Sequence, residues 1–246
     1  MSAKNGNSKY VPRKTSNRGT YVLGALALLV IAAVVIGGIV WQSNRSGPRN
    51  DGYGSVQNPD VTVQLQNQGV VRLGKQFAAK TIDIYEDPMC PYCRDLEISH
   101  GQEIAQAIDE GKLAVNYHLV DFLNQLSSSG DYSTRAVAAS ECLAEDGNAI
   151  AYGKFHAEIF SKDGQPEENG SSDHSNAQLA DIAKTAGASD SAVQCVSSGS
   201  KVDTAKANAQ AANETLKASG AQGTPAVLDG TNIVDTRGSD WVKDLL

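Results

Sequence analysis

The chain lacks an excess of positive charge: 21 Lys and Arg stand against 28 Asp and Glu, a formal net charge of −7 over 246 residues. That excludes a general nucleic-acid binder, which needs a basic surface to neutralise phosphates. No internal repeat is present. With 41% hydrophobic and 20% charged residues the chain is not a disordered polyelectrolyte, and its length suits one good core. Two local absences are sharper. Residues 1–20 contain no acid, only Lys4, Lys9, Arg13, Lys14 and Arg18 among charged residues. Residues 21–41, YVLGALALLVIAAVVIGGIVW, contain no charge at all.

A helix of that length, at about 1.5 Å per residue, spans the hydrocarbon core of a bilayer, roughly 30 Å. Tyr21 and Trp41 fall at its two ends, where amphipathic aromatics favour the headgroup level. The basic tail puts residues 1–20 in the cytoplasm and everything after residue 41 outside. A cleaved signal peptide has the same polarity, but its apolar region is usually shorter and ends in a small-residue cleavage site, and this run ends in IVWQSN. The expectation is a single-pass cell-membrane protein with a retained anchor at 21–41. Residues 42–60, rich in Gly, Ser, Asn and Pro, read as a flexible tether.

Beyond the tether, 61–65, 70–74, 81–87 and 113–120 read as strands, and 91–109 as a helix. A run of helical patterns follows, interrupted by the polar loop 161–175. Strand character returns at 224–234, with Asp229-Gly230 as the hairpin turn, and a short helix closes the chain. Strands at both ends with helices between predict one α/β domain, 61–246, carrying a helical insertion at about 121–219.

Chemistry concentrates in four cysteines. Cys90 and Cys93 enclose Pro91-Tyr92, a C-x-x-C that directly follows a strand and opens a helix. A helix N-terminus offers unpaired N–H groups and the positive end of the dipole, and both stabilise a thiolate, the attacking species in disulfide exchange. Pro91 suits the first helical position, where its missing N–H costs nothing. Cys90 is expected to be the more exposed and more acidic sulfur, and Cys93, one turn in, the resolving one. A structural zinc site would pair such a motif with a second close pair of ligands, and Cys142 and Cys195 are too isolated to provide it; no metal is expected. Four cysteines allow three pairings. Cys142 and Cys195 read as a staple in preference to a second redox pair, because ECLAE and VQCVS carry no basic or histidine cluster to activate a thiol.

A second signal is Thr224-Pro225 in GTPAVLDG, since proline at a strand start fits only an edge, a bulge or a first position. None of His100, His118, His156 and His174 lies inside CPYC, and all four read as surface or packing residues.

The strand–CPYC–helix unit, the helical insertion and GTPAV before the last hairpin together resemble the thioredoxin fold in its DsbA-like branch. IYEDPMCPYC after an N-terminal anchor is similar to the membrane-anchored thiol-disulfide oxidoreductases of actinobacteria, which introduce disulfides into exported proteins. The resemblance implies that Cys90 is the nucleophile and Cys93 the resolving thiol, with Pro91 and Tyr92 tuning the thiolate. It implies that Thr224 and Pro225 form a cis-proline loop facing the sulfurs and pairing with substrate backbone. It implies no cofactor beyond the Cys90–Cys93 disulfide, exported unfolded cysteine-containing proteins as substrates, and a quinone-linked reoxidant of the DsbB or VKOR kind. One position departs. Relatives carry a buried acid six residues before the first cysteine; here Ile84 stands there. Asp83 is expected on the opposite face by strand alternation. Glu86 and Asp87 are the nearest candidates for proton transfer, or else part of a solvated loop. The competing functions are an extracytoplasmic reductase or isomerase and a redox-inactive chaperone that holds extended peptides.

Overall fold

The computed structural model describes residues 47–246. The basic tail and the expected anchor lie outside the described residues, among which no helix is long and apolar enough to cross a membrane.

Six strands form one mixed sheet: β1 (Thr62–Leu65), β2 (Val71–Gly74), β3 (Lys80–Glu86), β4 (Leu113–Leu119), β5 (Ala226–Asp229) and β6 (Asn232–Ile233). Their spatial order is β1-β2-β4-β3-β5-β6. Only β3 and β4 run parallel, and they must, because helix α1 (Pro91–Asp109) carries the chain from the end of one to the start of the other. The other pairs are antiparallel. Central strand β3 is covered on both faces towards its C-terminal end, where Ile84, Tyr85 and Glu86 are all buried. That end delivers the chain to CPYC.

Between β4 and β5 lie five helices: α2 (Tyr132–Asp146), α3 (Ala149–Ile159), α4 (Asn176–Ala186), α5 (Asp190–Ser198) and α6 (Val202–Ala218). The expected insertion is there. α2 is its axis. From Tyr132 to Ala144 every residue except Arg135 is buried, so the helix is covered all round. Its many alanines and serines allow that close packing. α2 ends at Gly147, whose φ of 72° suits a residue without Cβ. Asn148 and Ser189 cap α3 and α5, and Ser175 with Gln178 forms a capping box on α4. Cys142 in α2 is bonded to Cys195 in α5, with Cα atoms 5.9 Å apart and a sequence separation of 53. Sheet and insertion share one hydrophobic core, running from Ile82 and Val115 to Tyr152, Phe155 and Leu179. The short α7 (Trp241–Leu245) packs Trp241 edge-on against His100 of α1, with ring centroids 5.3 Å apart.

The tether reading of 42–60 does not hold for its described part. Residues 47–60 form a strap laid along the packed body. Arg49 N–H donates to the Ser99 carbonyl at 2.7 Å, and Val56 is buried. Asp109, the last residue of α1, gathers the strap: its carboxylate accepts from the Tyr53 hydroxyl (2.6 Å), the Gln57 N–H (2.9 Å) and the Asn58 N–H (3.1 Å). Composition suggested a segment with little to bury; Tyr53 and Val56 supply the burial, and the Asp109 carboxylate satisfies two of the backbone donors.

Candidate active site

The chain leaves β3 at Glu86 and turns through Asp87-Pro88-Met89 to Cys90, the N-cap of α1. Asp87 builds this turn. Its Oδ1 accepts from the Met89 N–H at 2.9 Å and the Ser133 hydroxyl at 2.6 Å, and its Oδ2 from the Leu123 N–H at 2.9 Å. Its backbone carbonyl accepts from the Cys90 N–H at 2.8 Å. Asp87 is therefore a buried clamp between the motif, the loop after β4 and the start of α2, and the solvated-loop alternative is wrong. Burial pushes its carboxyl up to about 7 against those hydrogen bonds.

Cys90 and Cys93 are free thiols. Cys90 is the more exposed of the two, as expected, but both are buried: its residue area is 4% exposed and that of Cys93 is 0%. The cover comes from two directions. The Thr224-Pro225 bond is cis, and the Thr224 carbonyl accepts from the Cys90 thiol at 3.4 Å. From the loop 161–175, the Gln165 side-chain amide donates to the Cys90 carbonyl at 3.1 Å. That carbonyl also receives the N–H groups of Cys93 (3.1 Å) and Arg94 (3.2 Å), the first bonds of α1. Sequence reading missed Gln165, because its loop looked only like a spacer; its burial in a polar loop is visible only once the chain has folded back 75 positions.

The two sulfurs differ in acidity, as expected. Cys90 is lowered to about 6: the neighbouring Cys93 thiol contributes most, burial opposes it, and Thr224 and the N–H groups of Cys93 and Tyr92 add to the lowering. The Thr224 hydroxyl is buried and makes no hydrogen bond with the described residues. Cys93 is pushed well above its ordinary value by burial first, then by the Cys90 sulfur and the negative charge of Glu86. Pro91 occupies the first turn of α1. Tyr92 acts through its N–H, for its ring stands 72% exposed at the rim. One thiol is poised as thiolate and its partner is kept protonated, the division of labour that thiol–disulfide exchange requires.

Ile84 is buried, and Asp83 faces the other side of the sheet as alternation required, accepting from His118 Nε2 at 2.8 Å and the Asn116 amide at 3.1 Å. Glu86 is completely buried. It meets Glu97, four residues after Cys93 on α1, and His156 of α3. His156 Nε2 lies 3.4 Å from Glu86 Oε2 and 3.5 Å from Glu97 Oε1. Burial raises the Glu86 carboxyl to about 7, helped by the Glu97 charge and opposed by His156. For His156, burial works against the charged form, but Glu97 and Glu86 outweigh it and hold the imidazole up to about 10. The surface-or-packing reading of the histidines therefore fails at His156, which sits in a buried charge cluster. It suits the others: His118 stacks on Tyr85, His100 packs on Trp241, and His174 Nε2 donates to the Gly164 carbonyl at 2.7 Å, fastening the loop that carries Gln165. Among the described residues, Glu86, Glu97 and His156 are the group that could hold a metal ion.

The thioredoxin family model matches residues 66–246. The chain belongs to the thioredoxin family. Among solved structures it is similar to MdbA, a thiol-disulfide oxidoreductase from Corynebacterium diphtheriae, at 26% identity and a TM-score of 0.68, covering 80% of this chain and 98% of that one. It is similar to oxidised DsbA of Mycobacterium tuberculosis at 27% identity and a TM-score of 0.62, covering 72% and 90%. Reduced DsbG of the same organism matches at 29% and 0.56, covering 67% and 79%. A curated relative, the serine/threonine-protein kinase PknE of Mycobacterium tuberculosis, is 40% identical over 207 residues, 84% of this chain. The chain spans only 36% of that kinase's length. Within the thioredoxin family this chain is a thiol-disulfide oxidoreductase of the DsbA/DsbG type.

Proposed function

We propose that the chain is an extracytoplasmic dithiol oxidase, anchored by residues 21–41 and acting on exported, unfolded, cysteine-containing proteins. The observation that carries this reading is the stabilised sulfur of Cys90, lowered to about 6 beside a Cys93 held protonated. A stabilised thiolate favours the reduced pair, so the disulfide readily gives way and oxidises its client.

The steps balance. A client thiolate attacks Sγ of Cys90 in the Cys90–Cys93 disulfide; the S–S bond breaks and Cys93 leaves as a thiolate that takes up a proton. The second client thiol, deprotonated, attacks the client sulfur of the mixed disulfide, and Cys90 leaves as the stabilised thiolate. The client loses two electrons and Cys90/Cys93 gain them. A quinone-linked partner of the DsbB or VKOR kind would remove them again. The contact of the Thr224 carbonyl with Cys90 supports a role for Thr224 and Pro225 in holding extended client backbone, and exposed Tyr92 offers an apolar contact at the rim.

The test mixes the oxidised chain with an equimolar amount of a reduced, unfolded protein that natively carries disulfides. Loss of client thiols, matched by appearance of two thiols on the chain, is the expected result. If the client keeps its thiols while the reduced chain cleaves a client disulfide, the reductase or isomerase reading replaces this one. Normal client folding with Cys90 and Cys93 both changed to Ser would favour the peptide-holding chaperone.

A further inference from the structure

We propose that Glu86, Glu97 and His156 form a binding site for one first-row divalent metal ion of the zinc class, reached from the groove that Glu97 and His156 line. Three elements distant in sequence converge here: the end of β3, the second turn of α1 and the last turn of α3. Their ligand atoms, two carboxylate oxygens and one imidazole nitrogen, all lie within 4.8 Å of one another. The Glu86 side chain is 0% exposed, the His156 side chain 5% and that of Glu97 7%.

Beyond the loose ion pairs of His156 with the two carboxylates, these atoms have no partner within the protein. Both oxygens of Glu86, Oε1 of Glu97 and both ring nitrogens of His156 are buried without a hydrogen-bond partner. Native interiors rarely leave so many buried polar atoms unpaired in one place, and each costs free energy if nothing fills it. The separations of 3.4 and 3.5 Å from His156 Nε2 to the two carboxylates are long for charge-assisted hydrogen bonds. They match the spacing of neighbouring ligands about a tetrahedral ion: metal–ligand bonds of about 2.0–2.2 Å put ligand atoms roughly 3.4 Å apart.

The charge balance points the same way. Two carboxylates and a neutral imidazole cancel a divalent cation in an apolar setting of Tyr117, Tyr152 and Phe160. Imidazole suits zinc and its first-row neighbours, while calcium wants six to eight oxygens that this site does not have. Three protein ligands leave a fourth position open. An entry path exists: Glu97 and His156 line a groove of about 1020 Å³ between α1, α3, α4 and the strap at Val56. Sequence reading had no access to this site, because its ligands stand at 86, 97 and 156 with no motif spacing.

The experiment uses the full chain in detergent with Cys90–Cys93 oxidised, so that no thiol competes. Zinc chloride is titrated calorimetrically, and cobalt is titrated in parallel to read its visible spectrum. Saturable one-to-one zinc binding is expected, with a four- or five-coordinate cobalt spectrum lacking sulfur charge transfer. Affinity should fall at least about tenfold in Glu97→Gln and in His156→Gln, each first shown to unfold cooperatively. Glu97→Gln, at the groove wall, decides if His156→Gln does not fold. Absence of saturable zinc binding, binding that survives Glu97→Gln, or calcium binding as tight as zinc overturns the proposal. None of these outcomes depends on disulfide exchange, so this site and the oxidase reading stand or fall separately.

Discussion

At the scale of single residues, two sulfurs one helical turn apart have opposite acidities. Cys90 takes its low value from a thiol donor, N–H groups at the helix start and Thr224. Its rate of alkylation in the reduced chain should therefore rise with pH around a midpoint near 6, and Thr224→Val should move that midpoint upward, because a polar side chain that lowers the thiol is lost. A midpoint near the ordinary value of 9.0 would contradict the assignment. Cys93→Ala should accumulate covalent adducts between Cys90 and client cysteines, visible as bands that disappear on reduction, whereas the Cys90→Ser variant should give none. Much of this was legible in the sequence, because a C-x-x-C after a strand and before a helix places both sulfurs by local geometry. The partners were not legible. Gln165 reaches Cys90 from a loop 75 positions away, and His156 reaches Glu86 only because α3 packs over the end of β3.

At the scale of elements, the decisive arrangement is the βαβ unit β3–α1–β4, with the insertion closed over it. Sequence periodicity located each strand and α1 to within a residue or two, since the apolar alternation and the proline at the helix start are local signals. It failed at the strap, where Asp109 collects donors that composition could not pair with it. Inside the insertion, the Cys142–Cys195 bond joins α2 to α5 across a separation of 53. In the chain-entropy account its removal by a double change to Ser should cost about 4 kcal/mol. Chemical denaturation should show that loss, while client oxidation by the folded fraction continues, because neither sulfur lies in the CPYC site. Loss of oxidase activity at unchanged stability would instead make it a second redox pair. Arg135 contributes a separate tie: its guanidinium meets Asp173 and Asp131, each at 2.7 Å, bracing α2 against the loop that carries Gln165.

At the scale of the whole molecule, redox state and stability are linked through Cys90. Its value in the folded, reduced chain lies below its ordinary 9.0, so the thiolate contributes stability that is fully present above that value and is lost as pH falls through about 6. The oxidised chain has no thiol at this position to titrate. Stability of the reduced form relative to the oxidised form should therefore grow between pH 6 and pH 9, and thermal unfolding of the two forms at either end of that window measures it. A gap that shrinks as pH rises would reverse the sign of the argument. The same linkage makes the reduction potential of the Cys90–Cys93 pair the most direct test of the central claim that this chain is an oxidant. The full chain, with a control carrying Cys142→Ser and Cys195→Ser, is equilibrated against glutathione and the dithiol fraction measured. The account predicts a potential between about −120 mV, the DsbA end, and about −180 mV, that of protein disulfide isomerase. A potential near −270 mV, that of thioredoxin, would make the chain a reductant and contradict it.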